Sequence, residues 1–244
     1  MAPSVAYLKT LPSYIQGSVR QTLATLVPAH HFKSPRNPPI VLIPGAFCTA
    51  SVMNRLGIAL QAQGRSVVVA PTFPYYLSAA ANTCRLDEAA TRFIDFLVAL
   101  ADQGVREVDL AGHSNGGLIA LLAEERVRAQ AIPCRVRRQR LVTMATPFGG
   151  FPLARPLKPL LPFCHDLQAG CATLRRAESA GDLVVRTLVA GADSLIPPIR
   201  QSLDGKRKTV MEGFQHMDFI VGERARVART ATEVLRWLRN GCSA

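Results

Sequence analysis

The 244-residue chain contains no run of the roughly 18 uncharged apolar residues that a membrane-spanning helix requires. Its N-terminus also lacks a continuous apolar stretch ahead of a small-residue cleavage site. Together these absences set the expectation of a soluble, unexported, cytoplasmic protein. Six cysteines (Cys48, Cys84, Cys134, Cys164, Cys171 and Cys242) include no Cys-x-x-Cys pair and no His-rich spacing. That removes the usual zinc and thiol-redox motifs, so no metal and no cofactor is expected, and most cysteines read as free thiols, some buried as small hydrophobes. Disulfides come second without an export signal. Acid is scarce as well: 17 Asp and Glu stand against 29 Lys and Arg, a formal charge of +12.

That imbalance has local sources. Arg126, Arg128, Arg135, Arg137, Arg138 and Arg140 lie close together, and Arg224, Arg226, Arg229, Arg236 and Arg239 follow near the C-terminal end. A positive field favours anionic partners: nucleic acid, an anionic membrane surface or a phosphate-bearing substrate. The second group alternates with Val227, Ala231, Val234, Leu235 and Leu238 at helical spacing, the pattern of a solvated helix face. No nucleic-acid module and no basic run interleaved with aromatics is present, so no nucleic-acid partner is expected. An anionic membrane surface stays open as a peripheral contact.

What is abundant is apolar residue, 48% of the chain, enough for one sizeable core. Residues 1–39 read as an extension, with Ile15, Val19, Leu23, Leu26 and Val27 on one face of a helix after Pro12-Ser13, then a connector broken by Pro28, Pro35, Pro38 and Pro39. Residues 40–244 read as the main domain. Strands are expected at Ile40–Ile43, Ser66–Ala70, Arg106–Ala111, Arg140–Met144, Val184–Ala190 and Lys208–Met211, and helices at Val52–Gln63, Asp87–Ala101, Leu118–Arg128 and Gly222–Leu238. Near-continuously apolar strands separated by helices imply an α/β architecture, a mostly parallel sheet with helices on both faces. One stretch breaks the alternation. Residues 147–182 carry Pro152, Pro156, Pro159 and Pro162 amid Phe148, Phe151, Leu153, Leu157, Leu160, Leu161 and Phe163, an apolar insertion suited to a lid or cap.

Gly112-His113-Ser114-Asn115-Gly116 satisfies Gly-x-Ser-x-Gly. Chance alone yields such a match in roughly one chain in twelve of this length, so context decides. The motif's mechanics require a strand entering and a helix leaving a sharp turn, with glycines where a side chain would strike neighbouring backbone. An expected strand precedes Ser114 and an expected helix follows. A serine hydroxyl is a weak nucleophile that needs a base, and the base needs an orienting acid. In this arrangement they follow in the order Ser, Asp or Glu, His. Two histidines come after Ser114: His165 in the proline-rich insertion, and His216 just past the last strand, which is the expected base. Asp193 follows the preceding strand within Gly191-Ala192-Asp193-Ser194-Leu195-Ile196-Pro197-Pro198 and is the expected acid. Asp182 lies before that strand, at the wrong end of the sheet, and Asp218 is only two residues from His216. Taken singly, Asp193 also suits an Asx-turn and His216 a loop histidine. An oxyanion needs preorganised N–H donors. Asn115, at a helix start, supplies one, and Ala46, in the loop Pro44-Gly45-Ala46-Phe47-Cys48 after the first strand, is the candidate for the other.

At these residues the sequence resembles the α/β-hydrolase superfamily, and within it small bacterial triacylglycerol lipases and carboxylesterases, over about Ile40–Leu238. Ala145-Thr146-Pro147-Phe148-Gly149-Gly150 resembles their Thr-Pro-x-x-Gly turn, and Asp166 to Cys171 the segment leading out of their lid. The resemblance implies an α/β-hydrolase fold and a serine esterase or lipase with Ser114, Asp193 and His216 as triad and Ala46 and Asn115 as oxyanion amides. It implies a small-molecule or lipid ester as substrate. Pro44-Gly45 stands where the family usually has His-Gly, and Asn115 where Met, Gln or His is commoner. An acyltransferase or acyl-CoA thioesterase using the same triad, and a non-catalytic binding module on the fold, are the competing readings.

Overall fold

The computed structural model describes residues 38–71, 82–130, 134–203 and 207–240. The expected helix bearing Ile15 to Val27, and Cys242, lie outside them. Strands β1 (Ile40–Ile43), β2 (Val67–Val69), β3 (Glu107–His113), β4 (Arg137–Met144), β5 (Val184–Ala190) and β6 (Lys208–Met211) form one sheet in the order β2-β1-β3-β4-β5-β6. Every pairing is parallel. Between them run α1 (Asn54–Gln61), α2 (Leu86–Asp102), α3 (Asn115–Gln130), the single turn α4 (Ala154–Leu157), α5 (Ala172–Ser179) and the last helix α6 (Arg224–Asn240).

The core is divided by the sheet because successive strand residues point to opposite faces. Val41 and Ile43 join the cluster built by Leu86, Phe93 and Leu97 of α2, Leu118 and Leu122 of α3, and Leu174 of α5. Ile40 and Leu42 join the other, with Leu56 and Leu60 of α1 and Val227, Ala231, Val234 and Leu238 of α6. Helices therefore cover both faces, and each fully buried Leu, Ile or Phe contributes roughly 1.5–3 kcal/mol of transfer free energy. On α6 the expected division holds: Arg229, Arg236 and Arg239 are exposed while the Val and Leu series is buried. The basic cluster around residues 126–140 is largely neutralised internally. Arg128 pairs with Glu124 and Asp182, Arg138 with Glu124, Arg137 with Glu107, and Arg140, with Arg65, closes on the fully buried Asp109.

Several boundaries move. The expected helix at Val52 is a 3-10 turn, Ala50–Met53, followed by α1. β4 begins at Arg137 rather than Arg140, its first half being exposed or partly exposed and so carrying no apolar signal. α3 begins at Asn115, three residues before the expected Leu118, because Gly116 and Gly117 are poor helix formers that tertiary packing holds helical. The 147–182 segment forms α4, a 3-10 turn at Pro162–His165, α5 and a second 3-10 turn at Gly181–Leu183. It is anchored by the buried Asp166, which accepts hydrogen bonds from the Leu86 N–H that opens α2 (2.9 Å) and from Arg85 Nη2 (2.6 Å) and Nε (2.8 Å).

Topology fixes where chemistry can occur. From β1 the chain moves outward to β2, then returns to β3 on the opposite side of β1, so successive loops diverge there and open a crevice beyond the strand ends. Register aligns those ends: Ile43 lies opposite Gly112, His113 opposite Met144, Met144 opposite Leu188, and Ala190 opposite Met211. The residues that follow, Pro44, Ser114, Ala145, Gly191 and Glu212, share one rim of the sheet.

Candidate active site

Ser114 is the single residue between β3 and α3, with φ +53°, a left-handed conformation that a non-glycine residue adopts at a cost. Its N–H donates to the Met144 carbonyl at 2.8 Å, tying the turn to β4. Close packing explains the flanking glycines: a Cβ at Gly112 would lie 2.5 Å from Gly117 N, and one at Gly116 would lie 2.1 Å from the Ile43 carbonyl oxygen. Ser114 sits at the N-terminus of the 16-residue α3, whose dipole favours negative charge there.

His216, just after β6, and Asp193, just after β5, meet at the same rim. Nδ1 of His216 lies 2.8 Å from Oδ2 of Asp193, and both residues are buried. The carboxylate is fully engaged: Oδ1 accepts from the N–H groups of Leu195 (2.8 Å) and Ile196 (3.0 Å), and Oδ2 accepts from Gln201 Nε2 (2.9 Å) as well. A carboxylate oxygen only accepts, so His216 donates to Asp193 through Nδ1, and Nε2 is the ring nitrogen left outside that contact. Among the described residues the Ser114 hydroxyl makes no hydrogen bond to His216, although both line one cavity. Such contacts commonly tighten only when substrate is bound.

The acids and the histidine set aside from the sequence do not line the cavity. Asp182 pairs with Arg128, Asp218 accepts from the Gln215 N–H at 2.7 Å and from Arg226, and His165 ends the 3-10 turn Pro162–His165. Ala46 and Asn115 both line the cavity with Ser114. Among the described residues neither N–H donates to a protein group, so both are available to a ligand. The cavity, about 580 Å³ with its mouth, has apolar walls: Phe47 from the β1 loop, Phe151, Phe163 and Leu167 from the 147–182 segment, and Ile196 and Met217 from the loops of Asp193 and His216. Phe47 and Phe163 meet edge to face at 5.7 Å, joining the first loop to the insertion. Among the described residues no cluster of His, Cys, Asp or Glu could hold a metal ion.

Three supporting residues were not legible as such. Gln201, fully buried, accepts from the Ala190 N–H through Oε1 (2.8 Å) and donates through Nε2 to Asp193 and the Ile196 carbonyl (2.5 Å), which fixes its amide orientation. His113 was visible within the motif but had no assigned role. Its Nε2 lies 2.9 Å from the carbonyl oxygen of His216, and the two rings are 5.0 Å apart. Burial, then the neighbouring His216, pushes its pKa down from 6.5 to about 3. It is therefore neutral, protonated on Nε2, and braces the loop that carries His216. The third, Asn82, donates to carbonyls of the β1 loop.

A sequence model of the alpha/beta hydrolase family matches residues 40–239. Among solved structures, similarity extends to the mature Bacillus licheniformis lipase BlEst2, with a TM-score of 0.60 at 16% identity over 80% of this chain and 91% of that one. It extends likewise to a Paleococcus ferrophilus monoacylglycerol lipase (TM-score 0.56, 16% identity, 84% and 97% covered). A third is the RedJ thioesterase of the prodiginine pathway in Streptomyces coelicolor (0.53, 18%, 86% and 95%). At these identities the likeness is one of fold. No curated protein matches the sequence.

Proposed function

Because the chain belongs to the alpha/beta hydrolase family, we propose that it is a serine hydrolase cleaving carboxylic esters with apolar acyl chains. The observation that carries this reading is the 2.8 Å hydrogen bond from His216 Nδ1 to Asp193 Oδ2, with His216 lining the same cavity as Ser114. In the proposed reaction His216 Nε2 takes the Ser114 proton as Oγ attacks the ester carbonyl. The N–H groups of Ala46 and Asn115 receive the oxyanion. Collapse breaks the bond to the alcohol, which leaves with the proton from His216, and an acyl-Ser114 remains. Water, deprotonated by His216, then releases the carboxylic acid and restores the serine. Asp193 stays ionised throughout and holds the imidazole's tautomer. Phe151, Phe163 and Leu167 would pack against the acyl chain and exclude water from it, which is the role proposed for the insertion.

Ser114→Ala tests this directly. It should abolish turnover of short and medium-chain p-nitrophenyl esters and labelling by a fluorophosphonate probe, with the circular dichroism spectrum unchanged. Undiminished turnover would refute the assignment.

One observation favours a second reading, an acyl-CoA thioesterase or acyltransferase with the same triad. Arg155, Lys158 and Arg200 lie in the two segments that line the cavity, none forms an ion pair among the described residues, and residues 147–165 contain no Asp or Glu. Uncompensated cations there suit a phosphate-bearing acyl carrier, and would equally draw the mouth to an anionic membrane surface. Comparing acyl-CoA with glyceride hydrolysis over a salt series separates the readings: kcat/KM should fall with salt for a charge-steered carrier and stay level for a neutral ester.

A further inference from the structure

We infer that Asn82 is a positioning residue of this site: its side-chain amide holds the turn Gly45–Cys48 so that the Ala46 N–H is aimed at the substrate's acyl oxygen. The inference rests on the function proposed above and adds a residue that no motif indicated. Asn82 is buried, 3% exposed, and its Nδ2 donates to the carbonyl oxygens of Gly45 (3.0 Å), Pro44 (3.3 Å) and Cys48 (3.4 Å). The Gly45 oxygen also accepts from the Cys48 N–H at 3.3 Å, which closes the turn.

The direction of the Ala46 N–H follows from the peptide plane. In a trans peptide the C=O of one residue and the N–H of the next point to opposite sides. With the Gly45 oxygen turned inward to Asn82 and Cys48, the Ala46 N–H must point outward. The turn adjoins the nucleophile: a Cβ built on Gly45 would lie 2.7 Å from Ser114 Cβ and 3.3 Å from its Oγ, and Ala46 lines the same cavity, which is the side inferred for an N–H turned away from Asn82. The turn does not hold this shape without cost. Phe47 has φ +57°, a conformation disfavoured for any L-residue with a side chain, and one amide bonded to both ends of the turn opposes its relaxation. If the Gly45–Ala46 peptide rotated, the donor would leave the cavity, while the apolar walls that bind the acyl chain would stay.

That difference gives the test. Asn82 itself has φ +56°, so Asn82→Gly removes the amide and keeps the backbone relaxed, Asn82→Asp keeps the shape without N–H donors, and Asn82→Ser restores a single donor. With p-nitrophenyl butyrate, the Gly and Asp variants should lose about 10²- to 10³-fold in kcat, the scale of one oxyanion donor, with KM changed by less than about 3-fold. Inhibition by butylboronic acid, whose tetrahedral adduct carries the charge, should weaken by a similar factor. Inhibition by 1-butanol, which fills the apolar cavity and forms no oxyanion, should be unchanged, and Asn82→Ser should recover part of the loss. The inference is overturned if kcat in folded Gly and Asp variants stays within about 3-fold of the parent. It is also overturned if boronate and alcohol binding weaken together, or if all three variants melt more than roughly 10 °C lower, since Asn82 would then be a fold element. Activity surviving Ser114→Ala would sink the function itself; an essential Ser114 with normal Asn82 variants sinks only this inference.

Discussion

Replacing His113 with glutamine removes a titratable group while keeping an N–H in reach of the His216 carbonyl, and this separates two contributions that the imidazole combines. In the native chain burial holds the pKa of His113 near 3 instead of 6.5. Between those values the unfolded chain binds a proton that the native chain excludes. Stability is therefore complete above about pH 6.5 and falls as pH drops toward 3. The deficit grows by about 1.4 kcal/mol per pH unit, to roughly 1.4 kcal/mol at pH 5.5 and 3 kcal/mol at pH 4. The titratable groups that face His113 are His216 and Asp193, and both are retained in the variant.

Urea unfolding at pH 7, 5.5 and 4 measures the difference. At pH 7 His113→Gln should lie within about 1 kcal/mol of the parent, since one neutral hydrogen bond replaces another. As pH falls, the variant should overtake the parent by the amounts above, so the two stability curves cross. Parallel curves would refute the buried, neutral imidazole. His113→Asn supplies the control: its shorter amide cannot reach the position of Nε2, the His216 carbonyl loses its partner, and stability should drop by about 1–3 kcal/mol at every pH. Activity should follow geometry. Glutamine should retain most of kcat, and asparagine should lose on the order of 100-fold if the base shifts by about 1 Å.

Three further outcomes follow from named contacts. Asp193→Asn should reduce kcat by about 10³- to 10⁴-fold with little change in KM, because an amide presents the wrong partner to His216 Nδ1; a loss under 10-fold in steady-state assays would reassign the acid. Gln201→Met keeps volume but strips partners from the Ala190 N–H and the Ile196 carbonyl, so chemical denaturation should show a loss of about 2–4 kcal/mol, and the kcat pH profile should shift because Asp193 Oδ2 then serves His216 alone. Asp109→Ala leaves Arg65 and Arg140 facing a buried void near the N-terminal half of β3, remote from the rim; stability should fall by about 3–5 kcal/mol while kcat of the folded fraction holds, and a changed kcat would show that this ion cluster is coupled to the site.

The parts of the fold that were readable from sequence are those whose burial is periodic. Ile40 to Ile43 and Val184 to Ala190 announce strands because both faces are covered, and α2 and α6 announce themselves because Phe93 and Leu97, or Val234 and Leu238, recur on one side. Where that link breaks, so does the reading. Arg137 to Arg140 are strand by hydrogen bonding yet half exposed and basic, and Gly116 and Gly117 are helix only because Ile43 and Thr146 press against them. Nor does periodicity reveal strand order. The placement of β1 between β2 and β3 brings the Gly45 loop against Ser114, and it depends on right-handed crossovers that leave no local mark.

The site divides the same way. Ser114, Asp193 and His216 could be nominated from sequence because the proposed chemistry demands particular residue types in a fixed order at strand ends, and the structure brings Asp193 and His216 into contact on the rim that carries Ser114. The side chains that aim them were not, because aiming needs only an amide or an imidazole at the right point in space, and many residues along the chain could supply one. Gln201 acts on Asp193 across eight positions, Asn82 on Gly45 across 37, and His113 on His216 across 103. Each has a buried polar head whose hydrogen bonds end on a residue proposed for catalysis or on the turn beside it, and a buried polar group is stable only when so paired. The physical signature of such residues is therefore a buried polar head whose hydrogen bonds converge on one rim of the sheet from distant parts of the chain. It becomes visible only once the partners are known, and the residues that position the chemistry are found from the structure rather than from any motif.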